Sequence, residues 1–392
     1  MLNTFSLKRL LMNKAIDGIS QPLSRPVSAV PIEEYIAEMG FKRLGWRTIR
    51  RNLLFKASGQ GLYKKDEINN NWKRGIWLYF GEGQIGDALM DLAPRSLLHQ
   101  HGISMDLLTA EHLSEVFQND PWLNLVTSNI SQIKLEKYDF AIVLNNKRRA
   151  LNIKKMHFKK MPWISILENF SGPNYHRSGF STQRFADLLN TNISQPDFNF
   201  HSSQKLRNSE ISYLKEISLK KLSSSIAICV GGVDPRRTYK SWDAVLKILI
   251  KNNEKLFVLI GNNNGINDAI HLTNTFFTTA QFINKVGETS IMQSHALLAG
   301  AKLVVTTDGG SMHLAATTTT PMVALFSSSI DPKWRLPLRD SVISISSSTL
   351  DVNDISPESI AHAILSLQSC LQVKIDVNAS NDISVQNPQL KP

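Results

Sequence analysis

The stretch Ile76-Trp-Leu-Tyr-Phe-Gly-Glu-Gly-Gln-Ile-Gly-Asp87 combines a continuous apolar run, a glycine-rich turn and the start of a helical pattern. A run that is apolar at every position, and not only at alternate ones, is typical of a parallel strand buried on both faces. Similar runs recur at 103–108, 140–144 and 163–167, with helical stretches between some of them. This alternation predicts a doubly wound α/β domain.

The same pattern starts again in the second half of the chain. Its apolar runs lie at 225–230, 256–260, 282–283, 303–306, 322–326 and 342–345. A chain of 392 residues is also about twice the size of a usual single domain. The sequence therefore predicts two doubly wound, Rossmann-like domains.

The composition of the chain changes along its length, and these changes predict the domain boundaries. We predict a basic N-terminal extension at 1–74, a first domain at 75–205, a second domain at 222–350, a C-terminal helix at 356–373 and a disordered tail at 374–392. A polar stretch at 190–208 would link the two domains. The last helix is indicated by Ser356 as N-cap and Pro357 at the first helical position.

Charge and cysteine content limit the classes of partner and compartment. Lys and Arg number 44 against 33 Asp and Glu, which gives a net charge of +11. Such a charge favours an anionic partner: a nucleic acid, a membrane surface or a phosphorylated small molecule. The only cysteines, Cys229 and Cys370, exclude a disulfide framework, and two buried thiols suit a reducing cytoplasm. No run approaches the roughly 18 to 20 apolar residues of a membrane span, so we expect a cytoplasmic protein.

Most of the excess charge lies in the first 74 residues, which hold 14 Lys and Arg against 6 Asp and Glu. Here Trp46, Ile49 and Leu53 recur at helical spacing. Arginines occupy other positions of the same stretch, namely Arg43, Arg47, Arg50 and Arg51. The pattern predicts a basic amphipathic helix. Such a helix could lie on an anionic membrane, or pack its apolar stripe against the domain core.

The loop after the first strand allows three interpretations. Gly81, Gly83 and Gly86 fit the dinucleotide-binding spacing, with Glu111 roughly where a ribose-binding acid would stand. Alternatively, Asp87 lies near the carboxyl ends of the strands, where ligands of such sheets bind, and could act as general base toward a hydroxyl. In the third interpretation Asp87 only stabilises the positive end of its helix.

A second loop, Asp308-Gly-Gly-Ser-Met-His313, also follows a strand and opens a helix. Free backbone N–H groups beside two glycines favour a diphosphate at this position. Asp308 would repel such an anion, so we expect it to accept hydrogen bonds that fix the loop. His313 could reach a sugar or phosphate, or be structural.

The loop after the strand at 225–230 carries three cations, Arg236, Arg237 and Lys240. They suit the neutralisation of a pyrophosphate leaving group. A solvated basic loop is the alternative.

Together these motifs resemble glycosyltransferase family 9, the heptosyltransferases, over about residues 76 to 370. The most specific match is Asp308, Gly310 and His313-Leu-Ala-Ala316, followed by Thr320-Pro-Met-Val-Ala-Leu-Phe326. Gly86-Asp87 and Lys240-Ser-Trp242 match two further motifs of the family.

The resemblance implies an α/β fold of GT-B type, with two doubly wound Rossmann-like domains facing a cleft. It implies a metal-independent, inverting transfer of a heptose from a nucleotide-diphosphate donor, ADP-heptose first, to a lipopolysaccharide core acceptor, without a cofactor. Asp87 would be the general base. The donor-binding residues would be Arg236, Arg237, Lys240, Asp308, Gly309, Gly310, Ser311, Met312 and His313.

Acceptor recognition is expected in the first domain, where 147–160 is rich in Lys and Arg and holds no acid. The acceptor-binding candidates are Gly86, Lys147, Arg148, Arg149, Lys154 and Lys155. Such a segment would suit phosphorylated core sugars and would attract the protein to the inner face of the membrane. A solvated face is the alternative. Two departures from the family are Gly309, where the family has Ser or Thr, and 261–265, which lacks the acid that commonly meets the donor ribose.

Two other functions are open at this point. An NAD-dependent oxidoreductase would use the three glycines after the first strand, but it leaves 308–313 unexplained. A nucleic-acid-binding protein would use the basic N-terminal segment, but no recognised nucleic-acid module is visible, so we expect no nucleic-acid partner. A protein heptosyltransferase with a cysteine-bound metal finger is disfavoured, because two cysteines cannot build one.

Overall fold

The computed structural model describes residues 4–20, 32–80, 83–170, 175–207, 219–337 and 339–370. Gly81 of the glycine motif and the predicted tail at 374–392 lie outside these residues. The chain divides into two compact units. The first runs to Arg207 and also takes in Lys333–Arg335, and the second contains the rest. Because neither unit boundary tests the domain limits given above, those limits stay a prediction.

The first unit begins with three helices, α1 Thr4–Ser20, α2 Ile32–Met39 and α3 Phe41–Ser58. The third is the basic helix predicted around Trp46. It crosses α1 at very short range, because a Cβ atom at Gly45 would overlap the carbonyl oxygen of Leu11. The helices therefore touch along their backbones, which only glycine at position 45 permits.

The first sheet is parallel and has, within the described residues, the strand order β3-β2-β1-β4-β5. Its strands are β1 Arg74–Tyr79, β2 Ser104–Thr109, β3 Val126–Thr127, β4 Phe140–Val143 and β5 Trp163–Ser165. The helices that accompany it are α4 Ile85–Asp91, α5 Arg95–Gln100, α6 Glu111–Phe117, α7 Arg148–His157, α8 Arg177–Leu188 and α9 Gln195–Ser202. All four predicted strands are present; β3, two residues long, gave no signal in the sequence.

The core on one face of this sheet includes Ile76, Leu78 and Val143, with Leu151 of α7 packed against them. Helix α3 reaches the same core, since the ring of Phe55 lies edge-on to Trp163 with centroids 6.0 Å apart. The basic N-terminal segment is therefore packed onto the first sheet.

Two features of this unit are not evident from the sequence pattern. The helical stretch after β1 is divided in two: α4 ends at Asp91, and α5 begins after Pro94, because proline cannot continue a helical hydrogen-bond ladder. The predicted linker at 190–208 contains α9. Its N-cap Ser194 accepts a hydrogen bond from the N–H of Asp197, which is a usual start for a helix.

The second unit holds another parallel sheet, with the order β11-β10-β9-β6-β7-β8 among the described residues. Its strands are β6 Ile226–Cys229, β7 Leu256–Ile260, β8 Gln281–Asn284, β9 Leu303–Thr307, β10 Met322–Phe326 and β11 Val342–Ser346. The helices are α10 Leu219–Leu222, α11 Trp242–Lys251, α12 Ile266–Phe276, α13 Ile291–Gly300, α14 Gly310–Ala316 and α15 at 357–370. Counted from β6, the order is the 3-2-1-4-5-6 of a Rossmann sheet.

The C-terminal helix forms as predicted within the described residues. The N–H of Ser359 donates to Oγ of Ser356, so Ser356 is the N-cap. Ile360 and Ile364 are buried in the core cluster of the second unit. Of the two cysteines expected to be buried, Cys229 is buried but Cys370 is exposed near the end of this helix.

Candidate active site

The carboxyl edge of the first sheet brings two candidate loops together. Strand β1 pairs with β2 on one side and β4 on the other, so the chain reverses direction across the sheet at β1 and β4. Ligands of open α/β sheets bind at such a switch point. The segment after β1 leads to Asp87, and the segment after β4 leads to Lys147. These two predicted site segments therefore flank the same switch point.

Asp87 is held by an arginine that the sequence analysis did not identify. Nη1 of Arg177, at the start of α8, donates to Oδ1 of Asp87 at 2.5 Å. Nε and Nη2 of the same guanidinium donate to the two carboxylate oxygens of Asp91 at 2.5 and 2.6 Å. Asp91 is completely buried, whereas the side chain of Asp87 is 24 % exposed. One guanidinium thus fixes a buried carboxylate and a solvent-accessible one.

The buried side of this cluster has strongly shifted pKa values. Burial raises the pKa of Asp91, and the charge of Arg177 opposes this shift. The hydroxyl of Tyr79 donates to Oδ2 of Asp91 at 2.8 Å, and burial followed by the charge of Asp91 raises the pKa of Tyr79 well above its usual value. Burial alone would lower the pKa of Arg177, but Asp91 and its neighbours raise it well above the usual value. Arg177 therefore stays a cation.

The cluster leaves Asp87 able to act on a ligand. Its Oδ1 is fixed by Arg177, while its Oδ2 has no hydrogen-bond donor among the described residues. A carboxylate with one oxygen positioned and one accessible can accept a proton from a substrate hydroxyl. The contact with Arg177 gives Asp87 a partner outside its own helix.

A spacing signal for this cluster was present in the sequence. Asp87 and Asp91 are four residues apart, so they lie on the same face of α4. Two carboxylates on one face of a helix whose other residues are largely buried need a nearby cation. The identity of that cation could not be read from the sequence, because Arg177 is 90 residues beyond Asp87.

Apart from Lys154, the predicted acceptor-binding residues fall into three groups. Lys147 is the N-cap of α7, and Arg148 and Arg149 are exposed in its first turn, at the switch-point edge with Asp87. Gly86 is buried in the first turn of α4. Lys155 is also exposed, but it lies seven residues further along α7 than Arg148, roughly 10 Å toward the opposite edge.

Lys154 does not face solvent, which corrects its place among the acceptor-binding residues. Its Nζ donates to Oε1 of Gln60 at 2.9 Å and to the carbonyl oxygen of Phe158 at 2.6 Å. Burial lowers the pKa of Lys154 to about 8. Its neighbours in the basic run are exposed, but Lys154 itself faces inward on α7 and supports the packing of the N-terminal segment.

The second unit repeats the switch-point arrangement. Strand β6 pairs with β7 and with β9, so the loops after β6 and β9 lie at its switch point. Nη1 of Arg237 in the first loop donates to Oδ2 of Asp308 in the second at 3.2 Å. Asp308 is buried. It thus ties the two loops together, the role expected for it.

The other two predicted donor-binding cations, Arg236 and Lys240, are more exposed than Arg237. Arg236 has a side chain that is 62 % exposed and pairs with Asp234 at 3.5 Å. Nζ of Lys240 contacts Oδ2 of Asp268 at 2.9 Å, and more than half of the Lys240 side chain is exposed. Both remain accessible to a solvated anion.

The glycine turn before α14 can be approached closely. A Cβ atom at Gly310 would have no neighbour within 4 Å, and one at Gly309 would meet only the carbonyl oxygen of Thr307 at 4.0 Å. The next residue, Ser311, is half-buried. Met312 and His313 are buried. This burial favours the structural interpretation of His313, and Met312 has no exposed surface to offer a ligand.

A groove of about 320 Å³ lies beside these loops, at the carboxyl ends of β7 and β8. It is lined by Gly261, Asn262, Asn263, Asn264, Gly287 and Thr289. Its side chains are amides and a hydroxyl, which donate and accept hydrogen bonds without charge. It therefore suits neutral polar groups such as sugar hydroxyls.

The described residues form neither a metal-ligand cluster nor a membrane-spanning helix. No group of three or more His, Cys, Asp or Glu in this part of the chain is placed to hold a metal ion. No helix described here combines the length and the apolar content needed to cross a bilayer.

Comparisons with known proteins agree with the resemblance stated above. A family model described as "Glycosyltransferase family 9 (heptosyltransferase)" matches residues 126–362, which is more than half of the chain. The comparison with curated proteins gave no match.

Three solved structures of glycosyl transferase family 9 or heptosyltransferase proteins are similar in fold to this chain. The glycosyl transferase family 9 structure from Veillonella parvula DSM 2008 matches with a TM-score of 0.60 and 15 % identity, over 78 % of this chain and 99 % of that chain. E. coli ADP-heptose lps heptosyltransferase II has a TM-score of 0.56 and 19 % identity, over 76 % and 99 %. E. coli heptosyltransferase WaaC with ADP has a TM-score of 0.56 and 14 % identity, over 75 % and 99 %. At such identities the match shows the fold alone, two Rossmann-like domains of GT-B type.

Proposed function

Because the chain belongs to glycosyltransferase family 9, the heptosyltransferases, we propose that it transfers a heptose or a related sugar from a nucleotide-diphosphate donor to a lipopolysaccharide core acceptor. The family establishes that the chain is a glycosyltransferase. This class sets aside the oxidoreductase and the nucleic-acid-binding alternatives. The donor, the acceptor and the independence from metal are parts of the proposal.

The observation that carries the proposal is the fixed carboxylate of Asp87 at the switch point of the first sheet. In the reaction, Oδ2 of Asp87 takes the proton of the acceptor hydroxyl, whose oxygen attacks the anomeric carbon of the donor. The bond from that carbon to the diphosphate oxygen breaks, and the configuration inverts because attack comes from the face opposite the leaving group. Arg177 holds Oδ1, so it positions the base without blocking its second oxygen.

The departing nucleotide diphosphate needs compensation for the charge that develops on it. Arg236, Arg237 and Lys240 would supply cations, and the open backbone at Gly309 and Gly310 would supply N–H groups. Asp308 fixes Arg237 in place before the donor binds, which reduces the ordering that binding must impose. We propose that these residues replace the metal ion that other transferases use.

The ribose or base of the donor and the phosphorylated sugars of the acceptor would bind at two further surfaces of the chain. The asparagine-lined groove at 261–264 would take the ribose or base of the donor, with amides in place of the family's acid. ADP-heptose is the first candidate, since the E. coli relative of similar fold is an ADP-heptose heptosyltransferase. Lys147, Arg148 and Arg149 would bind phosphorylated core sugars. Such an acceptor places the enzyme in the cytoplasm, in peripheral contact with the inner membrane.

The test is the replacement Asp87→Ala, with Glu111→Gln as matched control. Glu111 is an exposed acid at the start of α6, also after a strand of the first sheet. We expect Asp87→Ala to abolish sugar transfer while ADP binding, measured by calorimetry, stays within the range of the unmodified protein. Glu111→Gln should keep both. Turnover by a folded Asp87→Ala variant would remove Asp87 from the mechanism.

A screen of nucleotide sugars by thermal unfolding identifies the donor. A ligand at 100 times its dissociation constant stabilises the folded protein by about 2.7 kcal/mol. We expect ADP-heptose to raise the unfolding temperature more than UDP- or GDP-sugars do. A larger shift with a UDP- or GDP-sugar would contradict ADP-heptose as the donor.

A further inference from the structure

The outward face of α3 combines cations with exposed apolar side chains. The face consists of Lys42, Arg43, Trp46, Arg50 and Leu53, which the helical period places on one side. Trp46 is 48 % and Leu53 62 % exposed, although side chains of this kind are usually buried. The three cations are exposed as well. We refer to these five residues as the basic α3 face.

This arrangement excludes the alternative in which the stripe of Trp46 and Leu53 packs against the domain core. Helix α3 packs on α1 through its opposite face, where Leu44, Gly45 and Thr48 are buried. Trp46 and Leu53 therefore remain in solvent.

The basic α3 face is held firmly on the first unit. Phe55 lies against Trp163 of β5, and Nη1 of Arg51 donates to the carbonyl oxygen of Asn169 at 2.6 Å. Nε of Arg50 donates to the carbonyl oxygen of Trp46 at 3.4 Å, on the face itself. A shallow groove of about 360 Å³ is lined by Lys42, Arg43, Trp46 and Arg50. The face therefore has a fixed shape in which cations surround an indole.

We propose that the basic α3 face docks on an anionic lipid surface. Helix α3 contains six Lys and Arg and no acid, so an anionic surface attracts it. Tryptophan is enriched at membrane interfaces, where its ring is partly apolar and its N–H is hydrated. Leu53 favours a lipid surface over a nucleic acid. Its side chain would enter the apolar edge of a bilayer, but would find no comparable environment on a phosphate backbone.

This inference deepens the proposed function, because a lipid-anchored acceptor would be met at such a surface. It rests on exposure and charge in the first unit, and not on the catalytic residues. Binding to vesicles can therefore succeed or fail independently of sugar transfer.

The test compares binding of the full chain to vesicles of phosphatidylcholine alone and to vesicles that also contain phosphatidylglycerol. We expect binding to the anionic vesicles only, declining with added salt. The double variant Arg43→Gln/Arg50→Gln should weaken it by about 25-fold, since each cation near such a surface contributes roughly a factor of five. Lys220→Gln/Lys221→Gln removes the same charge from exposed positions of the second unit and should leave binding unchanged. An equal loss in both variants would show attraction by net charge alone and overturn the proposal.

A second variant tests the apolar part of the face. Trp46→Ala/Leu53→Ser should also weaken vesicle binding, but should leave its dependence on salt unchanged, because no charge is removed. The same proteins are titrated with single-stranded RNA and with duplex DNA. Tight nucleic-acid binding that depends on Arg43 and Arg50, without vesicle binding, would assign the face to nucleic acid and overturn the lipid proposal.

Discussion

Arg177 and Asp87 form an ion pair between the first turns of α8 and α4, two helices separated by most of the first sheet in sequence. The other edge of the same guanidinium is occupied by the fully buried Asp91. The proposed base therefore cannot change position without disturbing a buried charge pair. Arg177 is, on this argument, a positioning residue for the proposed reaction.

Replacing Arg177 should affect turnover and stability together. Arg177→Met leaves the buried Asp91 without its cation, which costs about 3–5 kcal/mol of unfolding free energy for such a site. We expect kcat to fall at least tenfold, while the dissociation constant for ADP stays unchanged. Arg177→Lys should recover part of kcat, because it keeps the charge but loses the two-pronged contact.

The pH dependence of the unfolding free energy distinguishes a positioning role of Arg177 from a packing role. Burial raises the pKa of Asp91, and Arg177 opposes that rise. Without Arg177 the folded state holds a proton on Asp91 to higher pH than the unfolded state does, so stability falls as the pH increases. Urea unfolding of Arg177→Met should show a larger loss at neutral than at mildly acidic pH. A pH-independent loss of stability, with kcat retained, would show that Arg177 is only a packing residue.

The double variant Arg177→Met/Asp91→Asn removes both charges. It should be more stable than Arg177→Met and still lose kcat.

The two neighbouring arginines of the second unit should differ in their effect on donor binding. Arg237 is fixed on Asp308 beside the glycine turn, whereas Arg236 is largely exposed and its charge is screened. Arg237→Gln should weaken ADP binding by about tenfold or more, as expected for loss of a charge-assisted hydrogen bond. Arg236→Gln should have a smaller effect. Calorimetry with ADP measures both, and equal losses would contradict the special position of Arg237.

The basic residues of 147–160 should separate into two groups in acceptor kinetics. Arg148→Gln/Arg149→Gln changes the end of α7 at the switch-point edge and should raise the acceptor KM. Lys155→Gln/Lys159→Gln removes equal charge from the other end of the segment and should leave the acceptor KM nearly unchanged. If both pairs raise it equally, the acceptor is attracted by the whole segment and does not bind at the edge.

Lys154 should make stability depend on pH in the alkaline range. Burial lowers its pKa to about 8 from the usual 10.5. Between these values the unfolded state binds more protons than the folded state, so unfolding free energy rises with pH, by up to about 3 kcal/mol in all. Lys154→Met should lose this rise, and the exposed control Lys155→Met should keep it. Identical slopes in urea unfolding for the two variants would refute the assignment.

The sequence predicted both sheets because parallel strands buried on two faces leave continuous apolar runs, such as those beginning at Ile76 and Ile226. It also placed Asp87 and Asp308 after the correct strands. It could not identify Arg177, because no local pattern connects residues that meet only after the chain has passed through four further strands. The composition of 147–160 placed Lys154 in a basic run, but could not show that this one lysine faces inward.

The helix around Trp46 shows that the apolar pattern of a helix does not always indicate which side is buried. Its spacing predicted a helix, and the helix is present, but the apolar stripe was expected to be the buried one as readily as the exposed one. The buried side is instead chosen by Gly45, whose missing side chain lets α1 approach. A small residue gives no hydrophobic signal, so the interface could not be read from the apolar pattern.

The close crossing of α1 and α3 at Gly45 sets the orientation of the basic α3 face. Because the backbone of Leu11 occupies the space that a methyl group would need, Gly45→Ala forces the two helices apart, and α3 must rotate or shift on the sheet below it. Trp46, the next residue along, would then be aimed differently. The orientation of an entire external surface thus depends on a single missing carbon atom.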